Sequence, residues 1–385
     1  MRQVLALNCG SSSVRFCVFK EDLTPLFRGQ VENIAEGLEP RLLLEGRTDM
    51  FLPAGLAGHG PVIGFLLDSV ILPECGDIAA AGHRVVHGGT RFAGPTLIDS
   101  VVTEEIEALS FLAPSHQPHN LAGIRALATA LPGTPQVASF DTAFHRTIPE
   151  VRQLMALPVE FADAGLRRFG FHGLSYQSVV ARFARTTGTT MPRRTVICHL
   201  GNGCSIAGLV DGVSVFTSMG FTPLDGLVMG RRPGRLDPGA VLWLVARHGG
   251  DADAVDRLLN RDSGLLGVSG ISPDMRTLLA SGDEKAALAV AMFIDRLVLE
   301  IGSAITATRG LDALVFTGGI GENAAPVRAA VVEALGWLSL QLDEDANVRH
   351  ASTITNGQPS AHVIATDEER MIAENALSCA VPRAL

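Results

Sequence analysis

The stretch Val4-Leu5-Ala6-Leu7-Asn8-Cys9-Gly10-Ser11-Ser12-Ser13-Val14-Arg15-Phe16 has a counterpart at Thr195-Val196-Ile197-Cys198-His199-Leu200-Gly201-Asn202-Gly203-Cys204-Ser205-Ile206. Each is an apolar run of strand length, broken by a Gly/Ser/Asn turn and then resumed, the pattern of a β-hairpin. Glycine lets such a turn adopt φ > 0, and the backbone N–H groups and hydroxyls it bares can surround an anion. One copy alone reads as an ordinary hairpin turn. Two copies about half the chain apart imply two related lobes presenting phosphate-gripping turns to a shared cleft, as in a two-lobed nucleotide phosphotransferase.

With 385 residues the chain is long enough for two domains. Hydrophobic residues at 47%, charged residues at 18% and 41 glycines describe a soluble, loop-rich α/β enzyme. The net charge of −9 argues against a nucleic-acid partner, so an anionic substrate needs locally placed arginines. No basic-then-apolar leader opens the chain. The most apolar helical stretch, 286–308, is interrupted by Asp295, Arg296 and Glu300, which makes it a core helix and argues against a membrane association. Cysteines 9, 17, 75, 198, 204 and 379 form no CxxC pair, as expected of reduced thiols in a cytoplasmic protein.

The stretch from 21 to about 76 carries no decisive pattern. Beyond it, strands expected at 78–86 and 136–140 alternate with helices expected at 103–111 and 120–130, which suggests a mainly parallel sheet. A second lobe starts near residue 150 and holds the second hairpin, a long helix at 285–308 and a strand at 313–316. The last segment, 366–376, reads as a helix with acidic residues in its first turn.

Walker A, G-x-S-x-G and HExxH motifs are absent. Arg84 ends a strand beside Gly88-Gly89, where a guanidinium can reach a carboxylate or phosphate bidentately; the alternative is a surface arginine between structural His83 and His87. Asp141 directly follows an apolar strand, a common place for a catalytic carboxylate and equally for an N-cap. His172 lies between Phe171 and Gly173. Arg231, Arg232 and Arg235 form a cationic loop amid apolar residues. Thr317-Gly318-Gly319-Ile320-Gly321-Glu322-Asn323 joins a strand to a helix N-terminus, a nucleotide cradle whose spacing does not match a dinucleotide fingerprint. The turn 270–276 can grip a ribose or base. Glu368 and Glu369 offer oxygen ligands of the kind magnesium prefers.

These segments, in this order, closely resemble the acetate kinase family of the actin/sugar kinase/Hsp70-like superfamily, over nearly the whole chain and most weakly at 21–76. The motifs are HRVVHGG at 83–89, FDTAFH at 140–145, FGFHG at 169–173, HLGNG at 199–203, GFTPLDGLVMG at 220–230, TGGIGEN at 317–323 and TDEE at 366–369. The resemblance implies an α/β, two-lobed actin-like (ribonuclease H-like) fold with a duplicated βββαβαβα core and a cleft between the lobes. It implies an N-terminal lobe of 1–147 plus 371–385 and a C-terminal lobe of 148–370 for nucleotide binding and dimerisation. The activity implied is reversible, in-line transfer of the ATP γ-phosphoryl group to acetate, giving acetyl phosphate and ADP. Asn8 and Glu368 would place Mg²⁺, for which Mn²⁺ can substitute. Arg84 and Arg232 would hold the carboxylate and the transferring group, Asp141 would assist the nucleophile, and His172 would bond the phosphoryl oxygens, with His116 and His199 nearby. Val86, Ser115, Phe171 and Pro223 would line the acyl pocket. Ser12, Arg15, His199, Leu200, Gly201, Asn202 and Gly203 would meet the phosphates. Asp274, Met275, Arg276, Gly319, Ile320, Gly321, Glu322 and Asn323 would frame the rest of the nucleotide.

Departures from the family pattern concern the acid. Ser115 replaces a leucine beside the acetate methyl group, enlarging the pocket and making propionate or another short-chain acid the alternative substrate. Leu174-Ser175-Tyr176 replaces Thr-Ser-His, Arg231 and Arg235 add charge, and Arg15 replaces a lysine. A nucleotide-gated, chaperone-like ATPase is the competing class; it offers no role for Arg84, Arg232 and an acyl pocket together.

Overall fold

Strand β1 (Gln3–Cys9) has Val4, Leu5, Ala6 and Leu7 all at 2% exposure or less, so both of its faces are covered. The computed structural model describes residues 3–10, 12–34, 37–53, 55–114 and 116–380. It divides into one unit of Met1–Phe144 with Asp367–Leu385 and a second of His145–Thr366.

In the first unit, β1 turns at Gly10 into β2 (Ser13–Lys20), with Cys9 opposite Val14. The antiparallel run continues through β3 (Pro25–Glu32), β4 (Arg41–Leu44) and β5 (Met50–Phe51). On the other side of β1, β6 (Ile78–Val85) is parallel to it. Short β7 (Thr96–Leu97) pairs antiparallel with β8 (Gln136–Phe140), which runs parallel to β6. The sheet order is β5-β4-β3-β2-β1-β6-β8-β7. One face packs against helix Glu368–Ala380, close enough that a Cβ on Gly82 would sit 2.6 Å from the Ile372 carbonyl oxygen. Only glycine tolerates that approach. The other face buries Leu5, Leu7 and Phe16 with Ile63 and Leu66 of helix His59–Leu66.

In the second unit, β9 (Arg194–Leu200), β10 (Cys204–Val210) and β11 (Val213–Thr217) form an antiparallel meander. β12 (Ala313–Thr317) adds parallel to β9. β13 (Gln341–Leu342) and β14 (Thr355–Asn356) form a separate ladder, and β15 (Ser360–Val363) adds parallel to β12. The order β11-β10-β9-β12-β15 repeats β3-β2-β1-β6-β8 strand for strand, with the same senses. This is the duplicated core expected of the actin-like fold. Helix Glu284–Thr308 packs on β9, β10 and β11 through a face that includes Phe293, Leu297 and Ile301.

The first sheet is not mainly parallel. Only the β1–β6 and β6–β8 junctions are, because the opening hairpin extends as a meander through residues 25–51 before the first helical crossover. The stretch at 21–76 therefore holds three strands and a helical run that opens with helix His59–Leu66 and continues to Cys75. The helix expected at 103–111 starts at Ser100, one residue after Asp99, whose carboxylate accepts from the Val102 N–H at 2.8 Å. The helix expected at 120–130 starts at Gln117. No helix among the described residues is long and apolar enough to cross a membrane.

Candidate active site

In the first unit, β6 and β8 end side by side and carry Arg84 and Asp141 out of the sheet. Arg84 donates from Nε and Nη2 to Asp141 Oδ2 at 2.9 and 2.7 Å, and its Nη1 lies 3.9 Å from Glu368 Oε2. Asp141 is 1% exposed and Arg84 23%. Burial acts to lower the arginine's pKa, but Asp141, Glu368 and Glu369 outweigh it and hold the guanidinium firmly charged. The Asp141 carboxylate thus serves Arg84. His83 and His87 are both buried, and burial pulls each ring down to about 4, so these two are neutral structural groups.

The loop after Arg84 is fixed by side chains of helix Gln117–Ala130. Asn120 accepts from the Val86 N–H at 3.0 Å and donates to the Cys9 carbonyl at 2.8 Å, while Gln117 accepts from the His87 N–H and donates to its carbonyl. One amide therefore ties the first hairpin turn to the Arg84 strand. Neither side chain stood out in the sequence, although two buried amides three apart on a helix share a face. His119 stacks on His59, whose Nε2 bonds the Gly10 carbonyl oxygen at 2.8 Å, and His116 is exposed. Val86 is 7% exposed. Ser115 lies outside the described residues.

Asn8 is half-buried near the end of β1, opposite Arg15, and Ser12 is exposed in the turn. Arg15 donates to Gln30 at 2.8 Å and lines a hollow with Arg28 and Glu369. Glu368 lies towards Arg84 and Glu369 lines the hollow beside Arg15, as neighbours about 100° apart on a helix do. Among the described residues no trio of His, Cys, Asp or Glu is assembled for a metal. Asn8 and Glu368 each carry an oxygen donor of the kind magnesium prefers.

In the second unit's first hairpin, neither turn glycine relies on φ > 0: Gly201 and Gly203 lie outside the left-handed region, as does Gly10 in the first unit's hairpin. Gly203 is required for room instead. A Cβ there would sit 2.9 Å from Arg232 Nη2 and 3.2 Å from His172 Nε2. A guanidinium and an imidazole nitrogen thus converge on one bare backbone position. Arg232 is braced by donating from Nη1 to the Pro223 carbonyl at 2.7 Å, and burial pulls its pKa down from the usual arginine value. His172 takes a left-handed conformation, φ 61° and ψ 25°, immediately before helix Gly173–Thr187. Such a conformation is costly for a side chain with a Cβ and marks a residue aimed by its surroundings. Its Nδ1 is 2.8 Å from Ser205 Oγ, and its ring stacks on His199 at 4.2 Å. His199 is held through Nδ1 by Ser175 Oγ at 2.8 Å. Ser175, Tyr176 and Ser205 shape this cluster. The spacing of four between His172 and Tyr176 was the signal available for Tyr176.

Phe171 is 2% exposed, with its carbonyl oxygen 3.1 Å from His145 Nε2; Pro223 is half-buried. Leu200 at 0% and Met275 at 2% have core side chains, leaving only their backbone to meet a ligand. Gly201 is half-buried and Asn202 exposed. Asp274 caps helix Met275–Leu279 through the Arg276 N–H at 2.7 Å and pairs with the Arg276 guanidinium at 2.8 Å. Glu322 accepts from the Gly318 and Thr366 N–H groups at 2.9 and 3.2 Å, so its carboxylate braces the glycine turn. Gly319 is exposed and Ile320 half-buried, Gly321 is buried, and Asn323 donates back to the Gly319 carbonyl at 2.9 Å. Arg231 donates to the Arg261 carbonyl and Arg235 pairs with buried Glu300, so neither added arginine joins Arg232 at Gly203.

Residues 3–374 match the family model described as the acetokinase family. The acetate kinase of Rhodopseudomonas palustris is 43% identical over 389 residues, 97% of each chain. That of Nitrobacter hamburgensis is 43% identical over 404 residues, covering 100% of this chain and 97% of the relative. Among solved structures, a propionate kinase from Francisella tularensis superposes with a TM-score of 0.91 at 38% identity, over 98% of this chain and 100% of that one. The Porphyromonas gingivalis acetate kinase gives 0.90 at 36% identity, over 98% and 99%. Likeness of this extent, on a chain whose two units repeat one strand order, leaves one conclusion: the chain belongs to the acetokinase family.

Proposed function

We propose that this protein is an acetate kinase, transferring the ATP γ-phosphoryl group reversibly to acetate to give acetyl phosphate and ADP. The observation that carries the reading is the meeting of Arg232 Nη2 and His172 Nε2 at Gly203. Donors fixed around a bare backbone position suit a phosphoryl group whose charge spreads over its peripheral oxygens during transfer. A carboxylate oxygen attacks phosphorus, the bond to the bridging oxygen breaks, and its electron pair leaves on ADP. The acceptor is already an anion, so catalysis consists of aligning two anions and screening their repulsion. Arg84 is assigned to the acceptor carboxylate, kept charged and oriented by Asp141. Asn8 and Glu368 would hold Mg²⁺ (or Mn²⁺), which neutralises phosphate charge when bound. Asn202, Gly203, the 270–276 turn and the 317–323 turn are assigned to the nucleotide.

Propionate is the second reading, supported by Ser115 in place of leucine and by the likeness to the Francisella propionate kinase. We place the protein in the cytoplasm, in keeping with six cysteines that form no disulfide. A homodimer through the second unit is supported by Leu242, Trp243, Leu288 and Leu299, exposed at 71%, 60%, 57% and 56%. Trapping acyl phosphate with hydroxylamine tests the activity. With MgATP, acetate and propionate should both give hydroxamate matched by ADP. ADP without hydroxamate would point to an ATPase instead.

A further inference from the structure

Tyr176 is fully buried, and it reaches His172 by two routes. Its backbone N–H donates to the His172 carbonyl at 3.1 Å in the first turn of the helix. Its phenol oxygen lies 2.5 Å from Ser205 Oγ, which lies 2.8 Å from His172 Nδ1. Ser205 is itself fully buried on β10, two residues beyond Gly203 in the turn that precedes the strand.

We infer that Tyr176 is a positioning residue for His172: the chain Tyr176 O–H to Ser205 O–H to His172 Nδ1 fixes the ring as the Nε2–H tautomer and aims that hydrogen at Gly203. A neutral imidazole has one donor and one acceptor nitrogen, and the partner of one decides the role of the other. A serine hydroxyl that accepts from a phenol turns its own hydrogen to the remaining neighbour, which here is Nδ1. The opposite tautomer would present a lone pair at Nε2 to phosphoryl oxygens, which only accept. Burial raises the phenol's pKa, so Tyr176 keeps the proton the chain needs. The left-handed backbone of His172 fixes where the ring starts, and the relay fixes its rotation and its hydrogen. This inference rests on the assignment of His172 to the phosphoryl group.

The test uses Tyr176→Phe, Ser205→Ala and the double variant of the full-length protein, with ¹⁵N-histidine labelling and steady-state kinetics. Wild type should show His172 as the Nε2–H tautomer. Each single variant should shift His172 towards the other tautomer. Each should lower kcat about tenfold, the upper range for one neutral hydrogen bond, with KM for ATP and for the acid within about twofold. The double variant should be no worse than Ser205→Ala alone, because both break one chain. Should Tyr176→Phe fail to fold, Ser205→Ala alone decides. A full kcat in a folded variant, or an unmoved tautomer, overturns the inference, as do losses that multiply in the double variant. The spectra are read on the resting protein. A wild type that makes no acyl phosphate would therefore sink the kinase reading while still reporting whether the relay sets the ring.

Discussion

Arg84 grips Asp141 through Nε and Nη2, both donating to the single oxygen Oδ2, which leaves the Nη1 side of the guanidinium turned towards Glu368. Because Asp141 is 1% exposed, this pair matters to the fold as well as to chemistry. Removing one partner of a buried pair strands the other charge, at a cost of about 3–5 kcal/mol. Arg84→Ala should therefore lower Tm and cut kcat/KM by roughly 10²–10³-fold. Arg84→Ala with Asp141→Asn should regain most of the Tm and none of the activity. Calorimetry and kinetics on the two variants check this; recovery of activity in the double variant would remove Arg84 from the chemistry.

Gly203→Ala should act on chemistry almost alone. Gly203 lies outside the left-handed region, so alanine meets no backbone penalty there, but its methyl group would press on Arg232 Nη2 and His172 Nε2. Displacing these donors should cost about tenfold to a hundredfold in kcat, with Tm nearly unchanged. Normal turnover would mean that the position faces no reacting group.

Acid should unfold the protein through its buried histidines. His83, His87 and His145 are each lowered from 6.5 to about 4, chiefly by burial. The unfolded chain therefore takes up protons near pH 6.5, while the folded chain resists until about pH 4. Stability from these rings is fully present above pH 6.5 and is lost as pH falls towards 4. Tm should be flat in the neutral range and fall across that window, and His83→Gln should flatten the slope. A Tm that holds steady through the window would contradict the assignment of neutral buried rings.

The choice of acid should depend on residue 115. Leucine and serine differ by about three heavy atoms, and one buried methylene is worth about 0.8 kcal/mol. Propionate should approach acetate in kcat/KM, and Ser115→Leu should move preference towards acetate within the roughly 10–200-fold range open to one methylene. An unchanged ratio would mean that Ser115 does not shape the pocket.

Both hairpins were legible because an apolar run, a Gly-rich turn and a second run occupy consecutive positions. Arg84 and Asp141 were legible as strand-end residues, but their pairing was not: it needs β6 and β8 to lie side by side, 57 residues apart in sequence. The strands at 25–51 escaped notice because they lie towards the sheet edge, where half-exposed positions such as Phe27 and Arg28 blur the alternation. Glu322 was legible as part of the glycine turn, but its acceptance from the Thr366 N–H was not, since that partner lies 44 residues further along the chain. The Tyr176–Ser205–His172 chain joins a helix start to a strand: the spacing of four between His172 and Tyr176 marks its helix side, but Ser205, 29 residues beyond Tyr176, has no local signal.

Single-turnover quenching with γ-labelled ATP, magnesium and acetate tests direct transfer to a carboxylate most directly. The label should pass from ATP to acetyl phosphate in one phase, and without acetate it should stay on ATP. Protein-bound label that forms and discharges at the turnover rate, or label released as inorganic phosphate, would contradict it.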